Sequence, residues 1–218
     1  LQRLPGAEEA ALADIRAAWQ WAATEQAHDR LLTTAVTLHS FYSAQSWFHE
    51  GIDAFDFALT HIPDEAAQMT GAVAQTRAEL LGRKARMQIH IGQLDAARQA
   101  LDAAQAMLPF VEDPGQMSAI LGYSAITAYY AGDFPRAEAL TERSLELAQA
   151  VEDYDGVAFC HNFLGSCAKA QGDYETAVAQ FEQSIAVYEQ IGIELGAAMA
   201  LNNLGNAAQA MGDYDAAR

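Results

Sequence analysis

Basic side chains and cysteine are scarce in this chain, and strand-like alternation and long apolar runs are nearly absent. Each shortage excludes something. Twelve Lys and Arg stand against 29 Asp and Glu, for a formal net charge of -17. A surface of that sign repels phosphate backbones and anionic headgroups, so nucleic acid and membrane are not expected partners. No apolar run reaches the roughly 18 residues that a membrane-spanning helix requires. Leu1 to Pro5 carries no apolar run behind its charge, so the chain does not open on a signal-peptide pattern. Cys160 and Cys167 are the only cysteines. Seven positions apart on one predicted helix, they are separated by about 10 Å along its axis. That spacing is too great for a disulfide, and reduced thiols fit a cytoplasmic setting. What the chain does have is alanine and apolar residues in quantity, 51% hydrophobic by count. That is enough for a continuous core and predicts an all-α protein.

A repeat organises it. Gly132-Asp133-Phe134, Gly172-Asp173-Tyr174 and Gly212-Asp213-Tyr214 recur at intervals of 40 residues. Leu164-Gly165 and Leu204-Gly205 keep the same phase, as do Ala137, Ala177 and Ala217. A fixed long period predicts stacked supersecondary units that bury a shared core and act through extended surfaces. The expected helix pairs are His28–Ala44 with Trp47–His61, Ala72–Ile91 with Leu94–Leu108, Ser118–Ala131 with Phe134–Val151, and Asp155–Gln171 with Tyr174–Gln190. A single helix, Glu8–Gln26, precedes them, and a further pair opens near Leu195. Ser46 and Gly92 are placed in turns, and Pro and Gly mark longer links over Ile62–Gly71 and Pro109–Gly115. Gly172 is read as a left-handed helix terminator, Asp133 and Asp173 as N-caps, and Pro135 as a first-turn proline. Gly165 and Ala177 are read as the small residues at a helix crossing, with Leu164, Tyr174 and Phe181 as fillers.

The pattern resembles the tetratricopeptide repeat, whose signature sets Leu-Gly on the first helix and Ala-x3-Phe on the second. Leu164-Gly165 with Ala177 and Phe181 fill those slots, and Leu204-Gly205 with Ala217 repeat them. His161 and Leu201 stand in the aromatic slot, Ala168 and Ala208 in the Tyr slot, and the closing Pro is missing. The resemblance implies a right-handed superhelical solenoid of antiparallel helix pairs. Leu201-Asn202-Asn203-Leu204-Gly205-Asn206 is similar to repeats found in bacterial STAND signal-transduction ATPases, including the maltose-regulator-like transcription activators. Leu12 to Ala22, with Trp19 and Trp21, resembles the helix that follows their winged-helix part. His49-Glu50-Gly51, running on to Phe55 and Ala58-Leu59, resembles their first degenerate repeat. This implies a division into 1–27 (a helix joining to an upstream region), 28–62 (a degenerate first repeat) and 63–218 (the array, its last repeat truncated). It also implies a sensor array whose ligand releases an upstream ATPase of the same chain. The alternative is a constitutive scaffold for protein assembly.

Catalytic patterns are missing. Neither G-x4-G-K-[ST] nor G-x-S-x-G occurs, and His28, His39, His49, His61, His90 and His161 form no compact metal spacing. Glu8-Glu9 and Glu152-Asp153 read as solvated helix ends. The chain is therefore expected not to be an enzyme and to need no metal or cofactor. The expected site is a groove lined by the first helix of each pair. Its residues are Asn162, Ser166 and Lys169, then Asn202, Asn206 and Gln209 one period later, and Tyr129 and Tyr130 one period earlier. Asn offers a donor and an acceptor to peptide groups, and Tyr offers contact area at low entropic cost. Arg77, Arg83, Lys84 and Arg86 form the densest basic cluster. Arg83 and Arg86 could fork onto a ligand carboxylate or phosphate, although a helix face paired with neighbours such as Glu79 is the stronger reading. The ligand is expected to be a protein, a peptide or a small molecule.

Overall fold

A computed structural model describes residues 6–64 and 70–212. Asp213, Tyr214, Ala217 and Leu1–Pro5 lie outside the described residues. Ten α-helices and one short 3-10 turn account for nearly all of the described chain, and no strand occurs among the described residues. They are α1 (Gly6–Thr24), α2 (His28–Ala44), α3 (Phe48–His61), α4 (Gly71–His90), α5 (Leu94–Met107), α6 (Pro114–Tyr130), α7 (Phe134–Ala150), α8 (Tyr154–Ala170), α9 (Tyr174–Ile191) and α10 (Glu194–Met211). The chain divides into two compact units, residues 1–112 and 113–218. The divisions expected at 27 and 62 both fall inside the first.

The Gly-Asp-aromatic tripeptide works as a hinge between helices. Gly172 has φ of +84°, a left-handed conformation that a side chain would strain. Its N–H donates to the Lys169 carbonyl at 3.1 Å, and the Asp173 N–H reaches back to the Ala168 carbonyl at 3.0 Å. These two bonds close the end of α8. The Asp173 carboxylate then accepts from the Thr176 N–H at 3.1 Å and opens α9. The copy at Gly132 and Asp133 does the same, with Asp133 capping Arg136 and Pro135 in the first turn. The bend before α3 uses Ser46 (φ +57°) in place of glycine. Two expected boundaries shift. α1 stops at Thr24 because Gln26 (φ +51°) turns the chain back, with the Ala27 N–H on the Ala22 carbonyl. α6 starts four residues early, at Pro114, because Asp113 caps the Gly115 and Gln116 N–H groups and proline suits the first helical position. A proline read from sequence as a link is in fact a helix start.

In unit 1, Trp19, Leu31, Tyr42, Phe55, Leu80 and Met87 form one core among α1 to α4. Unit 2 is two layers. α6 touches α8 and α8 touches α10, while α7 packs between α6 and α8, and α9 between α8 and α10. Two kinds of joint hold the layers, and the one between pairs recurs at the repeat interval. Within a pair, a Cβ built on Gly165 would fall 2.7 Å from the Phe181 ring, which is fully buried with Ala177. Between pairs, Gly196 lies against Tyr188, and Gly156 lies against Ala148. A polar latch repeats as well: Ser144 donates to the Ser118 carbonyl at 2.8 Å, and Ser184 donates to the Ala158 carbonyl at 2.8 Å. These hydroxyls sit in the core with their hydrogen bonds made, as buried polar groups require.

Candidate functional site

In unit 2 the expected groove residues fall at three registers, 40 residues apart, on α6, α8 and α10. Tyr129, Lys169 and Gln209 make one row, Ile126, Ser166 and Asn206 the next, and Gly122, Asn162 and Asn202 the third. In the third row Gly122 is buried, Asn162 is half-buried and Asn202 is exposed; in the other two rows the α6 and α8 residues are half-buried and the α10 residues exposed. Asn162 is hydrogen-bonded to Asn203. The Asn203 Nδ2 donates to the Asn162 Oδ1 at 3.0 Å and ties α10 to α8. Ser166 turns inward, donating to the Asn162 carbonyl at 3.0 Å. Lys169 is half-buried and has no acidic partner among the described residues.

Aromatic rings fill the space beside this polar row. Phe159 stacks on Phe163 with centroids 5.9 Å apart, and Phe163 meets Tyr129 at 5.5 Å. Tyr129 also meets Tyr130 at 5.7 Å and Phe134 at 5.3 Å. Burial raises the Tyr129 hydroxyl above its ordinary pKa, with Cys167 and Tyr130 adding to the shift, so it stays a neutral donor. Tyr130 is the outermost ring, 63% exposed. The sequence reading did not single out Phe163 and Asn203, which touch Tyr129 and Asn162 respectively. Phe163 follows Phe159 by one helical turn, which was the available signal.

In unit 1 the basic cluster is mostly structural. Arg77 donates to the carbonyls of Leu59 (3.3 Å) and Ile62 (2.7 Å), which ties down the C-terminal end of α3. Lys84 pairs with Asp56 at 2.5 Å, and Arg83 pairs with Glu79 one turn away. Arg86 alone of the four is exposed. Opposite them on α2, His39 is buried. Burial, then the charges of Arg86, Arg83 and His90, push its pKa down to about 3, so the ring is neutral. Its Nε2 finds no hydrogen-bond partner. The two cysteines are buried thiols, raised to about 11 chiefly by burial. Such thiols are poor nucleophiles and poor ligands. Among the described residues no cluster of three His, Cys, Asp or Glu could hold a metal. No described helix is long and apolar enough to cross a membrane.

With this geometry in hand, the likenesses to known proteins are consistent. Family models described as tetratricopeptide repeat match residues 116–190 and 197–218. No curated protein matches the chain. Among solved structures, BtubC (BKLC) from P. vanneervenii is similar with a TM-score of 0.71 at 18% identity, covering 93% of this chain and 84% of its own. A Rap protein, solved in complex with Competence and Sporulation Factor, is similar at TM-score 0.69 and 22% identity, over 82% of this chain and 48% of that one. A kinesin-light-chain-type protein of Podosopora anserina with nearly identical TPR-like repeats reaches 0.64 at 17% identity, covering 85% of this chain and 89% of that one. At these identities the likeness concerns the fold. The chain carries tetratricopeptide repeats over residues 116–190 and 197–218, on an all-helical frame of paired helices shared with TPR solenoids.

Proposed function

We propose that this chain is a peptide- or protein-binding tetratricopeptide array whose binding face in unit 2 is the first-helix layer, α6, α8 and α10. One observation carries the reading. Rings of Tyr129, Phe159 and Phe163 lie side by side with Asn162, Ser166 and Lys169 on adjacent first helices, half-buried rather than sealed in the core. Rigid rings supply apolar contact, and amides supply donors and acceptors for a peptide backbone. The Rap structure supports the reading by analogy, since that protein was solved with a factor bound. In unit 1, Arg86 is exposed on the corresponding first helix, α4, which suits an acidic group on the same ligand class.

The finer assignment is a sensor module of a STAND-type ATPase, in which ligand binding relieves an autoinhibited state. Its support is the resemblance of Leu12–Ala22, of His49–Gly51 and of Leu201–Asn206 to that group. A full-length gene without an upstream nucleotide-binding loop removes this assignment and leaves the constitutive scaffold. The binding face itself is tested by selecting ligands from a random peptide library displayed on phage. Selected peptides should lose affinity at least about tenfold against the Tyr129→Ala, Asn162→Ala double variant, or about 1.4 kcal/mol. Unchanged affinity with helicity intact places the binding face elsewhere.

A further inference from the structure

Unit 1 carries a separate, half-open cleft of about 330 Å³ among α1, α2 and α3. Its walls combine apolar rings with charges of both signs. Trp19, Tyr42 and Phe57 supply the rings, Arg16 a guanidinium, and Glu50 and Asp53 two carboxylates. The rings are fixed. Trp19 Nε1 donates to the Ala54 carbonyl at 2.8 Å and its ring packs edge-on against Phe55 at 5.6 Å. Arg16 is held over the Tyr42 ring at 5.9 Å, and its Nε donates to the Tyr42 hydroxyl at 3.2 Å. Glu50 and Asp53 are three positions apart on α3, so they share a face. Among the described residues no ion pair joins Arg16 to either carboxylate, nor either carboxylate to any other cation. Opposite charges therefore line one small cleft without a contact ion pair between them.

We propose that this cleft binds a free α-amino acid with an apolar side chain. Such a ligand carries an ammonium and a carboxylate on neighbouring atoms. The carboxylate meets the Arg16 guanidinium, the ammonium meets Glu50 and Asp53, and the side chain lies on Trp19 and Phe57. Each ligand charge meets a protein charge of opposite sign at the open side of the cleft, where Arg16 and Asp53 are exposed, while the apolar side chain lies on the rings. The volume sits at the small end of ligand pockets, which suits a single residue better than a peptide segment. The site is independent of the unit 2 binding face, and its failure leaves that proposal intact.

The test is isothermal titration calorimetry with L-leucine, L-methionine and L-phenylalanine on the whole chain, each up to about 10 mM, with Trp fluorescence as a second signal. At least one should bind saturably. For that amino acid, the N-acetyl derivative removes the ammonium and the amide derivative removes the carboxylate. Each should bind at least about tenfold more weakly. The Glu50→Gln, Asp53→Asn double variant should lose affinity for the free amino acid to a similar degree while keeping its helicity. No binding by any of the three overturns the proposal. So does a derivative that binds as well as the free amino acid, or a folded double variant with unchanged affinity.

Discussion

Acidification should weaken unit 1 through His39 in particular. This imidazole is 3% exposed, and its pKa falls from an ordinary 6.5 to about 3, first through burial and then through Arg86, Arg83 and His90. The folded-state pKa lies below the unfolded one, so between about pH 6.5 and 3 the unfolded chain binds the extra proton. Stability is therefore intact above pH 6.5 and is lost progressively as pH falls toward 3. Going from about pH 7.5 to 5 should cost unit 1 about 2 kcal/mol at this one residue. Carboxylates and the falling net charge also respond to pH, so the informative quantity is a difference between proteins. His39→Leu removes the titrating ring, and with it the unpartnered Nε2. All three tryptophans, Trp19, Trp21 and Trp47, lie in unit 1, so urea unfolding followed by Trp fluorescence reads that unit. The parent chain should lose about 2 kcal/mol more than His39→Leu over this pH interval. Stability curves that move in parallel, within about 0.5 kcal/mol, would refute the assignment of a buried neutral histidine.

Two further expectations concern unit 2. Gly165→Ala puts a methyl 2.7 Å from the Phe181 ring, in a joint with no free space, and should destabilise unit 2 by about 1–3 kcal/mol; thermal unfolding followed by circular dichroism checks it, and an unchanged midpoint refutes the tight joint. Both thiols are buried and raised to about 11, so the folded chain at about pH 8 should resist a thiol-reactive disulfide reagent that labels both Cys160 and Cys167 in urea. Prompt labelling of the native chain contradicts their burial.

Much of the frame was legible because turns are local chemistry. The left-handed glycine, the capping aspartate and the first-turn Pro135 each act within a few residues, so their roles at Gly132 and Gly172 could be read directly. Pro114 misled because a proline at a helix start and a proline in a link look alike until the cap at Asp113 is seen. The site was read less completely. Periodicity placed Asn162 and Asn202 in equivalent positions, but equivalence along the sequence is not contact. Asn162 bonds to Asn203 across to α10, a contact with no sequence signature. The latch of Ser144 on Ser118, repeated at Ser184, crosses 26 residues, and its partner is a backbone carbonyl with no sequence signature. The basic cluster resolved largely as the paired helix face, because Glu79, Asp56 and the α3 carbonyls already occupy Arg83, Lys84 and Arg77.

The most direct measurement is hydrogen–deuterium exchange of the chain with and without a library-selected peptide. Added protection should concentrate on Tyr123–Tyr130 of α6, Phe159–Lys169 of α8 and Asn202–Gln209 of α10. Protection confined to α7 and α9, with the first helices unchanged, would contradict the account.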